Sequence, residues 1–518
     1  MLGLVALVLT ACGTTVPLGA QQTAGNGGLG GGPSASSGSG GASGATGGLA
    51  GAGSTGTGSG GSLGAGTPGT GSATGGTAAG SATGAVSGPP GTSTGGIPAS
   101  GRGWDAHHIY VGIPTADDFN SAIAAYGAKF NNGSTEGQVN AIVADINKAG
   151  GIFGRQLVPV YKDSSSASVV ANPEAAAQTV CTYFTQDRPV IAVIGGAPQF
   201  DASVNFHRCL EQAGVALFTG TNTDFSTQDY SRLGPHLWTV ASLSTDILVP
   251  ALLSSLQRQR FFTGWDTTNG RAGTSPVKVG ILEPDTAQGH YVAGLEQAGL
   301  KKLGVQLGSS FFYSNDNSSQ SEAQSEVLQF ASAGVTHVLD LPPVEANVLF
   351  FQEAAEKQHY RPRYGLTSFD LPLSVEENPS LVPPAQQVGS LGIGWQPLND
   401  VSVVHDPGPT PGNKRCFSAL SKGGQTFNSS QRRAALVAAL LCDGLYLLRD
   451  AAVAGHGLTG AALLAGVPIA GPKFAPAATF RSVLTAKDHG VPGYFRDLQY
   501  GQSCSCFAYV GGNRSFTP

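Results

Sequence analysis

The sequence predicts an α/β protein of two tandem doubly wound units, preceded by a long segment that cannot build a core. Three observations carry this. Short apolar runs alternate with amphipathic stretches from His108 to Phe218, and the alternation starts again at Lys278 and continues to Thr367. Short apolar strands separated by helices mark a parallel sheet covered on both faces. No Asp, Glu, Lys or Arg occurs before Arg102, and residues from about Gln21 to Gly103 are almost wholly Gly, Ala, Ser and Thr with scattered Pro.

Such a leader buries too little apolar surface to offset its ordering entropy and reads as a flexible tether over residues 12–103. About 90 such residues have a root-mean-square reach of roughly 50 Å. Met1–Ala11 is apolar, and about 10 residues fall short of the roughly 17–25 that span a bilayer; residues 1–11 match a secretory signal. Leu9-Thr10-Ala11-Cys12 resembles the bacterial lipobox, which implies lipidation at Cys12, although no Lys or Arg precedes the apolar core. The roughly 415 residues from Trp104 onward suffice for two or more domains. All 28 Lys+Arg and 33 Asp+Glu lie from Arg102 onward, a formal net charge of −5. Without basic clusters, that balance argues against nucleic acid as the main partner.

In order, His108–Gly112 reads as a strand and Pro114–Gly127 as a loop entering a helix. Val139, Ile142, Val143 and Ile146 fall at i, i+3, i+4, i+7 on one helix face. Lys148 suits the last turn, and Gly150-Gly151 supplies the positive φ of a helix end. Strand Gln156–Tyr161 follows. Asn172-Pro173-Glu174 is a helix start, with Asn as N-cap and Pro at N1, and the helix is expected to reach about Gln186. Then come strand Val190–Ile194, helix Phe200–Ala213, strand Val215–Phe218, strand Leu237–Ala241 and helix Thr245–Gln259. Phe261–Pro276 is a polar insertion. The second series comprises strands Lys278–Leu282, Val305–Phe312, His337–Leu341 and Tyr364–Thr367, with helices between them. Strand Leu391–Trp395, a Pro/Gly-rich loop Pro397–Lys414, helices Arg432–Val453 and Thr459–Ala465, and aromatic-rich runs Tyr494–Tyr500 and Phe507–Val510 complete the chain.

The stretch Ile146-Asn147-Lys148-Ala149-Gly150-Gly151-Ile152-Phe153-Gly154-Arg155 follows the pattern iNaaGGInGrk nearly residue for residue. With Ala125-Tyr126-Gly127 before it, and Asp163, Val193-Ile194-Gly195 and Lys278–Leu282 after it, the chain from Ile109 to Phe516 resembles the type I periplasmic solute-binding proteins. That branch includes the branched-chain amino-acid-binding proteins of ABC importers. The resemblance implies two Rossmann-like lobes with a hinge and an interlobe cleft, crossed near Ala241, Gly392 and Gly466. Lobe 1 would be residues 104–241 plus 393–466, and lobe 2 residues 242–392 plus 467–518. It also implies a small-molecule solute, a membrane permease as partner and no cofactor. The protein would then lie in the cell envelope, outside the cytoplasm and held to the membrane by the N-terminal lipid.

Open α/β sheets bind ligands outside the strand carboxyl ends, which makes the loops there the candidates. In lobe 1 these are Gln199 and Phe200 after the third strand, and Thr219, Gly220, Thr221 and Asn222 after the fourth. Tyr126 matches a position where amino-acid-binding relatives place a cleft tyrosine. Ser244 stands where they carry an acid, with Asp246 two residues on. In lobe 2 the candidates are Asp285, Gln288, Asp340, Ser368 and Asp370. Only the Thr219–Thr223 loop keeps the family's character. The solute is therefore left open among amino acids, amides, polyols, short-chain acids and aromatic compounds.

Besides Cys12 there are six cysteines, and an exported chain meets an oxidising compartment. Cys181 and Cys209 lie on successive helices flanking one strand, which a 2-1-3-4 sheet places side by side. Cys416 and Cys442 can pair between a short helix and a long one. Cys504 and Cys506 are then left to each other, or exchange partners with that pair. Gly60-Gly61-Ser62-Leu63-Gly64 matches a nucleophile elbow but lies in low-complexity sequence. His107-His108 has no partner at metal-ligand spacing, so no metal is expected. The expected function is solute capture for an ABC importer. The alternatives are a ligand-sensing module for a membrane receptor and, more remotely, an enzyme on the same scaffold.

Overall fold

The computed structural model describes residues 97–124, 131–195, 203–220, 225–232, 236–314, 319–339, 341, 345–380, 382–486, 489–490 and 492–516. Cys12, the signal-like segment, the tether as far as residue 96, Tyr126, Gln199, Phe200, Thr221, Asn222 and Asp340 lie outside these residues, whereas residues 97–103, expected to belong to the tether, are held on the first lobe through the Pro98 carbonyl and the Arg102 guanidinium.

The first sheet is built from β1 (His108–Thr115), β2 (Gln156–Asp163), β3 (Ala192–Ile194), β4 (Ala216–Thr219) and β5 (Leu237–Thr239). All pairs are parallel and the order is β2-β1-β3-β4-β5. The second lobe repeats that order with β8 (Lys278–Pro284), β9 (Gln306–Tyr313), β10 (His337–Leu339), β11 (Arg363–Thr367) and β12 (Leu391–Gly394), arranged β9-β8-β10-β11-β12. To β12 it adds an antiparallel hairpin, β13 (Tyr494–Gly501) and β14 (Cys506–Ser515). The polar insertion holds a small antiparallel pair, β6 (Trp265–Asp266) and β7 (Arg271–Ala272).

The longer helices are α1 (Thr135–Lys148), α2 (Pro173–Thr182), α3 (Val204–Gln212), α4 (Thr245–Arg258), α5 (Ala287–Lys302), α6 (Ser319–Ala333), α7 (Glu345–Lys357), α8 (Pro411–Lys422), α9 (Arg432–Ala454) and α10 (Gly460–Ala470). The Ser134 hydroxyl accepts the Gly137 N–H at the start of α1, and Val139, Ile142, Val143 and Ile146 form its buried stripe. The helix ends as the two glycines require, with φ 102° at Gly150 and 67° at Gly151. A Cβ on Gly151 would lie 1.9 Å from the Arg155 carbonyl oxygen. The other residues of the motif hold the junction together. The Asn147 carboxamide both accepts from and donates to the Leu157 backbone, at 2.7 and 2.9 Å. The Arg155 guanidinium donates to the carbonyls of Asp105 and Pro98.

Asn172 caps α2 as its sequence requires, accepting the Ala175 N–H at 3.0 Å. The α-helix stops at Thr182, and a π turn, Tyr183–Asp187, carries the chain on. The bond between Cys181 and Cys209 joins α2 to α3, with Cα atoms 6.3 Å apart. A second, Cys416–Cys442, joins α8 to α9 inside the first lobe's core. Cys504 and Cys506 bond to each other. Replacing both Cys416 and Cys442 by alanine is expected to lower stability by about 3–4 kcal/mol, since the bond closes a long loop. The guanidinium midpoint measures this; a midpoint equal to wild type contradicts it.

α9 is buried almost all round, as a helix wedged between layers should be. The chain leaves the first sheet after β5, through Val240–Ser244, and leaves the second after β12, at Trp395–Gln396. The passage expected near Gly466 lies farther on. Gly466 sits within α10, which packs along α9, and Phe474, Ala477, Ala478 and Leu484 still belong to the first lobe's buried cluster. Gly490 bridges to Thr239 of β5 before β13 begins.

Candidate functional site

The carboxyl ends of the two parallel sheets meet around a hinge made from all three passages. The Trp395 indole N–H donates to the Ala241 carbonyl at 2.7 Å, and the Gln396 carboxamide donates to the same oxygen at 3.1 Å. The Thr479 hydroxyl donates to the Val240 carbonyl at 3.4 Å. Beneath them Asp400, fully buried, accepts from the Ser368 hydroxyl, the Gln396 N–H and the Tyr509 hydroxyl. Burial pushes its carboxyl up to about 7, against the pull of these donors.

Past the end of β1, Asp118 accepts from the Ser166 N–H and hydroxyl, which fixes the start of the short helix Phe119–Ala124. Phe119 is buried in the second lobe's cluster, which also contains Leu282 of β8 and Tyr313 of β9. The carboxyl edge of the first sheet thus reaches the carboxyl edge of the second.

A polar clasp crosses the same junction. Asp246, in the first turn of α4, accepts the Thr227 N–H at 2.6 Å from the first lobe's short helix Thr227–Arg232. Its other oxygen accepts the Tyr291 hydroxyl of α5 at 2.5 Å. Burial would raise the Asp246 carboxyl, but the Tyr291 and Thr227 donors outweigh it and hold it below its ordinary value. The same hydrogen bond pushes the Tyr291 hydroxyl up to about 12. Farther round, Glu377 of the short helix Pro372–Glu377 is raised by burial, opposed by Arg433 and Arg432 at the start of α9.

The sequence candidates divide clearly. Asp285 is exposed beyond the end of β8, 2.8 Å from the His290 Nε2, and Gln288 lies in the first turn of α5; both stand at the carboxyl edge. Ser244 is buried at the N-terminus of α4, with its hydroxyl 3.0 Å from that of Thr227. Thr219 ends β4 in the core, and a Cβ on Gly220 would lie 2.5 Å from the Leu440 Cβ, so glycine there admits α9. Ser368 and Asp370 are buried in structural bonds. Ser368 accepts the Trp395 N–H, and Asp370 caps the turn by accepting the Thr367 N–H. Tyr291 is the residue that sequence reading misses. It looks like an ordinary exposed helix aromatic, and only its 45-residue separation from Asp246, closed in space, gives it a partner.

This arrangement has solved counterparts. A fatty-acid ABC transporter substrate-binding protein from Thermomonospora curvata superposes with a TM-score of 0.56 at 14% identity, covering 81% of this chain and 95% of that one. A solute-binding protein from Rhodopseudomonas palustris in complex with p-hydroxybenzoic acid gives 0.55 at 13%, covering 79% and 98%. A branched-chain amino-acid ABC transporter protein from Thermus thermophilus with bound valine gives 0.54 at 15%, covering 79% and 96%. The fold is that of the type I periplasmic binding proteins. At these identities the likeness is one of fold. No protein-family model matches the chain, and no curated protein matches it in sequence. Within this fold the 23-residue α9 is joined to α8 by the Cys416–Cys442 bond.

Proposed function

We propose that the protein is an extracytoplasmic solute-binding component of an ABC importer, holding a small polar solute between its lobes. The observation that carries this reading is the meeting of two parallel-sheet carboxyl edges across a three-passage hinge, the place where open α/β sheets take ligands. The solute would contact Asp285 and Gln288 from one lobe, together with the loops after β3 and β4 from the other. Tyr126, Gln199, Phe200, Thr221, Asn222 and Asp340 remain proposed contacts. Thr219, Gly220, Ser244, Ser368 and Asp370 support the loops and hinge from within. In this reading capture needs no covalent step: hydrogen bonds hold the solute, and hinge closure excludes water. A membrane permease is the proposed receiver, and Cys12 the proposed lipid anchor.

A thermal-shift screen tests the reading, because binding to the native state alone raises stability. Aromatic acids, fatty acids, branched-chain amino acids, amides and polyols form the panel. At least one class should raise the midpoint in a concentration-dependent way, and no shift across the panel counts against solute capture. The Asp246 clasp supplies a second check. Tyr291→Phe removes the donor on α5 and is expected to change the affinity for that solute about 5-fold, the scale of coupling between a binding site and a conformational equilibrium. Isothermal titration measures it, and identical dissociation constants would sink the clasp's role in closure.

A further inference from the structure

The turn between β13 and β14 carries Cys504, and Cys506 opens β14, at the outer edge of the second sheet. Beside it lies the 3-10 turn Val403–His405. One imidazole nitrogen of His405 and the two sulfur atoms all lie within 4.8 Å of one another. Cys506 is buried, Cys504 exposed and His405 half-buried, so the cluster opens to solvent on one side. Among the described residues, the His405 ring has no hydrogen bond, ion pair or ring contact of its own; only its backbone is engaged, donating to the Ser402 carbonyl.

The sulfur pair also differs in kind from the other two. Cys181–Cys209 and Cys416–Cys442 are 28 and 26 residues apart, whereas Cys504 and Cys506 are separated by 2. A bond across one intervening residue removes little freedom from the unfolded chain and adds little stability. Ser505 between them adopts φ 50°, a left-handed conformation that costs a non-glycine residue energy. A tight turn of this kind, with an idle imidazole over it, suits ligation better than stapling.

We propose that His405, Cys504 and Cys506 form a redox-gated site for a soft d10 cation, Cu(I) or Zn(II). A dithiol reductant opens the site. Its thiolate attacks one sulfur, the Cys504–Cys506 bond breaks through a mixed disulfide, and the reductant leaves as its own disulfide. Two protons end on the freed thiols. Cation binding then releases both protons and leaves two thiolates and a neutral imidazole as ligands. Bond lengths of about 2.3 Å to sulfur and about 2.0–2.1 Å to nitrogen require the two sulfurs, bonded to each other here, to separate after reduction, and the imidazole nitrogen to move in from the present 4.8 Å limit. Two thiolates and one imidazole are the donor softness that selects these cations over Mg(II) or Ca(II).

The test uses the full chain, reduced with dithiothreitol, desalted without oxygen and titrated with Zn(II) or Cu(I) against a chromophoric chelator. The Cys504→Ser/Cys506→Ser variant, treated alike, reports any binding by the four remaining disulfide cysteines. Reduced wild type should bind one more equivalent than this variant, and the unreduced protein should lack that equivalent. His405→Ala should weaken that binding at least 10-fold while leaving the circular dichroism spectrum unchanged. X-ray absorption of the loaded wild type should show two sulfur neighbours and a nitrogen. No excess equivalent, an unaltered affinity in His405→Ala, or a sulfur-free shell each overturns the proposal.

Discussion

Glu296→Gln is expected to stabilise the protein in alkaline solution by on the order of 1–3 kcal/mol and to change little near pH 4. Glu296 lies on the inner face of α5, one helical turn from Val292 and Leu300, and is fully buried. Among the described residues, neither of its carboxyl oxygens has a hydrogen-bond partner. Burial, reinforced by the Asp370 charge, raises its carboxyl from 4.5 to about 8. The sign follows from the protons bound. Between those two values the unfolded chain releases its proton while the folded chain retains it, so folding is progressively opposed as pH rises. The neutral form's contribution is complete below about 4.5 and lost on passing through about 8. Glutamine keeps the shape and cannot ionise. Urea midpoints of both proteins from pH 4 to about pH 9 should diverge toward the alkaline end, and parallel curves would remove Glu296 as their cause. Glu376 follows the same rule, since burial also pushes it up to about 8.

Asp443→Ala is expected to cost about 2–4 kcal/mol, and to loosen the hinge as it does so. Asp443 is fully buried in α9, and its two oxygens accept the N–H groups of Ala477 and Ala478, at 2.6 and 3.0 Å. Those residues immediately precede Thr479, which binds the Val240 carbonyl. Alanine leaves two buried N–H donors without partners. Asparagine accepts one and turns its own NH2 toward the other, so Asp443→Asn should fall between wild type and alanine. Chemical denaturation orders the three proteins, and limited proteolysis reads the hinge. Cleavage between Gly471 and Leu484 should appear first in the alanine variant. Equal midpoints with an uncut hinge would show that the carboxylate holds nothing there.

Much of the fold was legible because its determinants are local. The α1 stripe, the Asn172 cap and the glycines after α1 each act within a few residues, and each occurs where its chemistry requires. Both sheets follow from that alternation; the 2-1-3-4 order expected for the first is present, and the second sheet repeats it, a match the sequence reading did not specify. The site was legible only as a location. Ser368 and Asp370 read as polar residues at a strand end, yet Asp400, 32 residues from Ser368, and the Thr367 backbone bind them inside the core. Glu296 stands at i, i+4 spacing with Val292 and Leu300, and its side chain follows them into the interior. The pairs Trp395–Ala241, Asp246–Tyr291 and Asp443–Ala477 join segments that no periodicity connects. The passage near Gly466 was misplaced because the residues after α10 carry no apolar pattern, only scattered Phe and Ala that fit the first lobe.

Arg155 has a mechanical consequence. Its guanidinium holds the Asp105 and Pro98 carbonyls, the Trp104 indole N–H also donates to Pro98, and Arg102 donates to the Thr185 carbonyl. All these bonds lie at the amino edge of the first sheet, opposite the hinge. A pull on the chain ahead of residue 97 is therefore borne by the first lobe alone. Its load path ends in β1 and β2 and never crosses Trp395, Thr479 or the Asp246 clasp. A force applied at residue 97 would thus enter the molecule at the side of the first lobe away from the interlobe contacts.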